Sequence, residues 1–300
     1  MRKYYQVNAF TTNVLKGNPA GVVLNSESLS DYEMQMIARD LNLSETAFIF
    51  PPVNKFANIK IRWFSPTMEL PLWGHSTIAS IYVLLKEKIF NLVEGFFTKF
   101  VIEYNGGVLP VSVSRLNSED YEIWFTVPVP KFSPFGGDQQ DIFRFLGMHD
   151  NDLDSRLPIY QSDSKYLFVP VLGLLTLRKL EPNFDGLKEI MKEENLNGIC
   201  TFSRETIRTT SSFHSRFFSP VFGINEDPVT GTANAQLAVY WLNHVLPSIS
   251  KESYEMIGEQ GFSIDRDGEV KVSMKVYKNQ VVALEIGGTG RIFLSGYLNV

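Results

Sequence analysis

Two segments half a chain apart repeat one another, and that repeat constrains the fold more than any other feature of the sequence. Arg62, Phe64, Ser65 and Pro66 of RWFSPTMELPLWGHSTIA recur at an offset of 154 as Arg216, Phe218, Ser219 and Pro220 of RFFSPVFGINEDPVTGTANA. Beyond a three-residue insertion, Glu69, Pro71 and Gly74 recur at an offset of 157 as Glu226, Pro228 and Gly231. An offset of half of 300 residues implies a duplicated domain, with one such loop from each half facing a shared cleft. Each copy reads as a strand, a proline-bearing loop, a glycine, and then a helix.

Those two helices decide the architecture. HSTIASIYVLLKEK (75–88) and TANAQLAVYWLNHVL (232–246) are apolar on nearly every side. A helix with no polar face must be enclosed, so each half is expected to wrap a curved sheet or barrel around its helix. The fold class is α+β. The first barrel is expected over residues 1–127 and the second over 128–289, with PVPKFSPFGGDQQ (128–140) as a Pro- and Gly-rich linker. An apolar content of 44% suffices for two cores. SLSDYEMQMIARDLN (28–42) reads as an amphipathic helix behind a Ser30 or Asp31 cap. GGTG (287–290) reads as a tight turn between strands, since it lacks the Lys-Ser/Thr of a phosphate loop.

The remaining chemistry excludes several classes. A net charge of −5 with scattered Lys and Arg disfavours nucleic acid. No apolar run suits a membrane span, and MRKYYQVNAFTTN lacks the core of a signal peptide. The single Cys200 fits a reducing cytoplasm. His75, His149, His214 and His244 show no metal-ligand spacing, so no metal is expected.

Gly74 and Gly231 mark the helix entrances, where free backbone N–H groups and the helix dipole favour an anion. A small carboxylate-bearing molecule suits such donors, and Ser76, Thr77, Thr230 and Thr232 add hydroxyls that either cap the helix or bind the ligand. His75, at the first entrance, is expected neutral because the helix N-terminus disfavours imidazolium. Glu226 and Asp227 form an adjacent acidic pair, with Glu69 matching Glu226; solvation or capping is the plainer role for these carboxylates. Glu45 lies before the apolar AFIF, where burial would poise a carboxyl for proton transfer, although a salt bridge would explain it equally.

GNPAGVV (17–23), LSETAF (43–48), RWFSP…ELPLWGHSTIAS (62–80), RFFSP (216–220) and EDPVTGTA (226–233) together resemble the PhzF-like, or phenazine biosynthesis-like, family, most closely its eukaryotic branch. The resemblance implies a diaminopimelate-epimerase-like fold in which a C-terminal strand near 290–300 crosses back to the first domain. It further implies a homodimer, no cofactor, and proton transfer on a small anionic, cyclic metabolite. By that resemblance Glu45 is the acid and base, and Gly74, His75, Asp227, Gly231 and Thr232 contact the substrate. Trp73 stands where the family commonly has Cys, and with Thr230 at the paired position a two-thiol racemase is excluded. An indole there would shape the pocket, and a catalytically silent binding or scaffold protein is the alternative to a cofactor-independent isomerase.

Overall fold

The computed structural model describes residues 1–70, 74–92, 97–117 and 120–300. Its elements run β1 (Arg2–Ala9), β2 (Asn18–Val23), α1 (Asp31–Leu41), β3 (Thr46–Phe50), β4 (Ile59–Phe64), β5 (Glu69–Leu70), α2 (Gly74–Lys86), β6 (Thr98–Tyr104), β7 (Gly107–Arg115) and β8 (Tyr121–Val127). They continue as β9 (Phe132–Pro134), α3 (Gln139–Leu146), β10 (Tyr160–Ser162), β11 (Tyr166–Pro170), α4 (Leu174–Lys179), α5 (Phe184–Glu193), β12 (Gly198–Ser203), β13 (Phe213–Ser219) and β14 (Ile224–Asp227). The last are α6 (Gly231–His244), β15 (Ser253–Gln260), β16 (Gly268–Tyr277), β17 (Gln280–Gly288) and β18 (Gly290–Leu298). Two compact units result: Met1–Thr126 with Glu285–Val300, and Val127–Leu284.

In the first unit β1 pairs antiparallel with β2, β2 parallel with β3, β3 antiparallel with β4, β4 parallel with β6, and β6, β7 and β8 follow antiparallel. β17 pairs with β8, while β18 pairs with β1 from Arg2↔Leu298 to Ala9↔Gly290. One C-terminal run therefore closes the sheet around α2. Residues Gly74–Leu85 of α2 are all buried, so the helix apolar on every side is enclosed on every side. Each of its Ile and Leu side chains contributes about 1.5–3 kcal/mol of burial. On the outer sheet face, α1 sets Met34, Ile37 and Ala38 against Tyr4, Val23, Phe48 and Phe64. The Ser30–Glu33 capping box starts α1 and a left-handed Asn42 ends it.

The second unit repeats the plan. β11 pairs parallel with β12, β12 antiparallel with β13, β13 parallel with β15, and β15 antiparallel with β16. In α6, Gly231 and Ala233–Leu242 are buried. A second outer core lies between α3, α4 and α5 and the sheet, built on Phe143, Leu146, Leu177, Leu187, Ile190 and Phe218.

Three polar devices recur with the duplication. Arg62 forks onto Glu69 (2.8 and 2.7 Å) and stacks over Phe64; Arg216 forks onto Glu226 (2.9 and 2.8 Å) and stacks over Phe218. Glu103 accepts the N–H groups of Val53 and Asn54, and Glu259 those of Ile207 and Arg208. Asn58 and Ser212 each accept the backbone N–H of the parallel neighbour, Val101 and Ile257.

Two sequence expectations are corrected. Segment 128–140 is no linker: β9 inside it pairs with β10, and Phe132 meets the rings of Phe168 and Tyr240 edge-on. GGTG is no tight turn. Only Thr289 separates β17 from β18, too few residues to reverse a strand, and the run passes from β8 to β1 as its partner. The Phe10 N–H donates to the Thr289 carbonyl at this change of partner (2.7 Å).

Candidate active site

The parallel β2–β3 pair places Glu45. Gly21 lies opposite Thr46, and the Gly21 N–H donates to the Glu45 carbonyl (2.9 Å), so Glu45 emerges just before β3. Its side chain is 2% exposed. His75, the second residue of α2, brings Nδ1 to 3.6 Å from Glu45 Oε1, just beyond hydrogen-bond length. Its Nε2 lies 3.2 Å from Ser44 Oγ, and the Pro19 carbonyl accepts a hydrogen bond from the ring. Burial pushes the imidazole down to about 3. His75 is therefore neutral near pH 7, as expected, but burial rather than the helix dipole is the largest cause. The contact with Glu45 is not an ion pair. Glycine serves here at position 17, whose left-handed φ of +75° turns the chain into Asn18-Pro19.

The second entrance is a polar network in the second unit. Asp227 ends β14, Thr230 is the N-cap residue of α6, and both are buried. Thr230 does not cap the helix; its hydroxyl donates to Asp227 Oδ2. Gln260, from the end of β15, donates through Nε2 to the Asp227 carbonyl (2.7 Å) and to Thr230 Oγ1 (3.1 Å). Its Oε1 accepts from the Thr230 N–H (3.1 Å) and from Asn234 Nδ2 (2.7 Å). Gly231 opens α6, and Thr232 Oγ1 lies 3.4 Å from the Tyr166 hydroxyl.

Glu45 and His75 are thus brought together in one unit, and Asp227, Gly231 and Thr232 in the other. Glu69 and Glu226 take no part, being the carboxylates of the two arginine forks. Ser76 and Thr77 are buried within α2. Trp73 lies outside the described residues. Sequence reasoning missed Ser44, Gln260 and Asn234. Asn234 left a signal, as one of two buried amides, with Gln236, inside a mostly apolar helix; Gln260, in a strand far downstream, left none. Among the described residues no cluster of three or more His, Cys, Asp or Glu is arranged to hold a metal ion, and no helix is long and apolar enough to cross a membrane. Chemically, the first entrance couples a desolvated carboxyl to a neutral imidazole, a pair suited to moving protons, and the second offers ordered hydrogen-bond groups at a helix start.

Comparison with known proteins gives a consistent result. The profile of the phenazine biosynthesis-like proteins, PhzC-PhzF, matches residues 7–296. An uncharacterized isomerase of Clostridium acetobutylicum is 36% identical over 305 residues, covering 99% of both chains. A Schizosaccharomyces pombe protein, antisense-enhancing sequence 1, is 28% identical over 98% of this chain and 97% of its own. The crystal structure of a Bacillus anthracis phenazine biosynthesis protein of the PhzF family superposes with a TM-score of 0.90 at 30% identity, covering 100% and 99% of the two chains. A predicted epimerase from Pseudomonas aeruginosa shares the fold at a TM-score of 0.79, 19% identity and full coverage of both chains.

Proposed function

The chain belongs to the phenazine biosynthesis-like (PhzC-PhzF) family and is an isomerase, and on that footing we propose that Glu45 moves a proton on a small carboxylate-bearing metabolite without a cofactor. The observation that carries this reading is the burial of Glu45 beside a neutral His75. A carboxylate poorly solvated by water gains basicity, and its protonated form is then a competent acid. The Glu45 carboxylate takes a proton from a carbon flanked by a carboxylate and a double bond. The C–H electron pair enters that conjugated system. The carboxyl then returns the proton at the far end of the allylic unit, so one C–H bond breaks, another forms, and no redox partner is needed. The neutral ring of His75 commits its one N–H to the Pro19 carbonyl and keeps one lone pair, so it stands beside Glu45 without adding charge of its own. Substrate contacts are assigned to Gly74 and His75 and to Asp227, Gly231 and Thr232. The reading includes a cytoplasmic homodimer, which light scattering of the purified protein tests for its oligomeric part.

The experiment uses 2-cyclohexene-1-carboxylate in deuterium oxide, with deuterium uptake followed by mass spectrometry. Glu45→Gln keeps shape and removes the proton carrier, and is expected to slow uptake by about 10³-fold, within the usual range for a positioned acid or base. Equal uptake by wild type and variant would refute the role of Glu45.

A further inference from the structure

The duplication makes each helix entrance a control for the other. Glu103 and Glu259 hold corresponding loops through corresponding N–H groups, so the residues that follow them, Tyr104 and Gln260, are equivalent. In the helices, Gly74 matches Gly231 and therefore Thr77 matches Asn234. In the first unit the ring of Tyr104 lies against Trp63, 6.0 Å between centroids. In the second the amides of Gln260 and Asn234 meet at 2.7 Å. Ile102 precedes Glu103, but its equivalent is Gly258, where a Cβ would stand 2.1 Å from Asn234 Oδ1. Glycine at 258 leaves room for Asn234 and for the Phe213 ring, which a Cβ there would meet at 2.3 Å. A barrel of this kind forms without the amide pair, so the pair answers to something other than the fold.

We propose that Gln260, held in turn by Asn234, is a positioning residue for Asp227; its role in turnover rests on the isomerase reading above. All four hydrogen-bonding positions of the Gln260 amide are used, which fixes which end is oxygen: Oε1 faces two donors and Nε2 two acceptors. Because Nε2 donates to Thr230 Oγ1, the single hydroxyl proton of Thr230 is directed onward to Asp227 Oδ2. That oxygen is held as an acceptor, and any proton that Asp227 carries sits on Oδ1. The same arrangement keeps the Thr230 side chain from capping α6, so the first N–H groups of the helix are not taken by it. Gln260 thus sets both the orientation of the carboxylate and that of the Thr230 hydroxyl, turned toward Asp227 and not onto the helix start.

The test substitutes Gln260→Met, which removes the amide at similar length, and Gln260→Glu, whose ionised carboxylate competes with Asp227 for the Thr230 proton. Thr230→Val breaks the relay while leaving Gln260, and guards against loss of folding in the other two. In protein labelled with ¹³C at aspartate carboxyls, with Asp227→Asn for assignment, the Asp227 midpoint should rise by about one pH unit in Thr230→Val, which loses the hydroxyl donor, and in Gln260→Glu, whose carboxylate draws that proton away; it should rise by less in Gln260→Met, where the hydroxyl stays but is no longer directed. Deuterium uptake by 2-cyclohexene-1-carboxylate, taken as a ratio to wild type, should fall at least tenfold. The Gln260→Glu ratio should recover toward acid pH, where its protonated carboxyl can donate as the amide did; the Gln260→Met ratio should stay flat. A purely structural role would not produce that acid rescue. An Asp227 midpoint unchanged in both Gln260 variants overturns the proposal, whatever Thr230→Val shows. Should wild type not exchange the probe, the reading of Glu45 fails while the carboxyl titration still decides Gln260.

Discussion

Lowering the pH from 7.5 to 5 should weaken the first unit through His75 alone by about 2 kcal/mol. Its imidazole titrates near 6.5 when unfolded and near 3 when folded, because burial disfavours the charged ring. The folded value lies below the unfolded one, so between them the unfolded chain binds the extra proton. The contribution is whole above about pH 6.5 and is lost progressively as pH falls toward 3. At pH 5 the unfolded ring is almost fully protonated and the folded ring is not, which gives about 2 kcal/mol of the roughly 5 that the full difference represents. The assay is urea unfolding of wild type and His75→Asn at both pH values. With an m-value of about 2 kcal/mol per molar, the wild-type midpoint should fall by about 1 M more than that of the variant. Comparing the two proteins removes the carboxylates that titrate in the same range, and any fixed cost of the substitution cancels. Equal midpoint losses in the two proteins would show that His75 gains no proton on unfolding in this range, and the argument from burial would fall.

The duplicated arginine forks offer a second test. Arg216 and Glu226 are 6% and 7% exposed, and Arg216 also bonds the carbonyls of Leu177 and Leu180, whereas the Arg62–Glu69 pair is 16% and 31% exposed. Arg216→Met should destabilise by about 3–5 kcal/mol and Arg62→Met by about 1, read by thermal unfolding; an inverted order would contradict the burial argument. Cys200 is buried in β12 with its thiol pushed up by desolvation, so a thiol reagent should leave the native protein unlabelled while reacting fully in denaturant; prompt native labelling would show that this strand opens.

The sequence made the helices legible because enclosure leaves a pattern. A helix read at 75–88 is found at Gly74–Lys86, one read at 232–246 at Gly231–His244, and one read at 28–42 at Asp31–Leu41. Local chemistry was legible for the same reason: Ser30 caps α1 within three residues of its partner. Strand partnership was not. β9 hides among prolines because three residues carry no periodicity, and the single-residue break at Thr289 looks like any glycine-rich turn until both partners are known. At the site, Glu45 and His75 stood out through motifs next to apolar runs. Gln260 reaches Asp227 across thirty-three residues of chain by way of sheet register, information that no local window holds. Glu69 and Glu226 were ambiguous as carboxylates, since the arginines that neutralise them are separated from them by loops.

The pairing of β18 with β1 has a consequence for biosynthesis. A growing chain normally completes its N-terminal domain first. Here the segment Val127–Leu284 is continuous, so all of the second unit is available for folding while β1, paired with β2 on one side, still lacks its other neighbour along Arg2–Ala9. That edge stays open until Leu298 has been made, which leaves Tyr5 and Val7 short of their second partner strand during most of translation. The unit begun first is finished last, and the interval between is when this chain most needs shielding from its own copies.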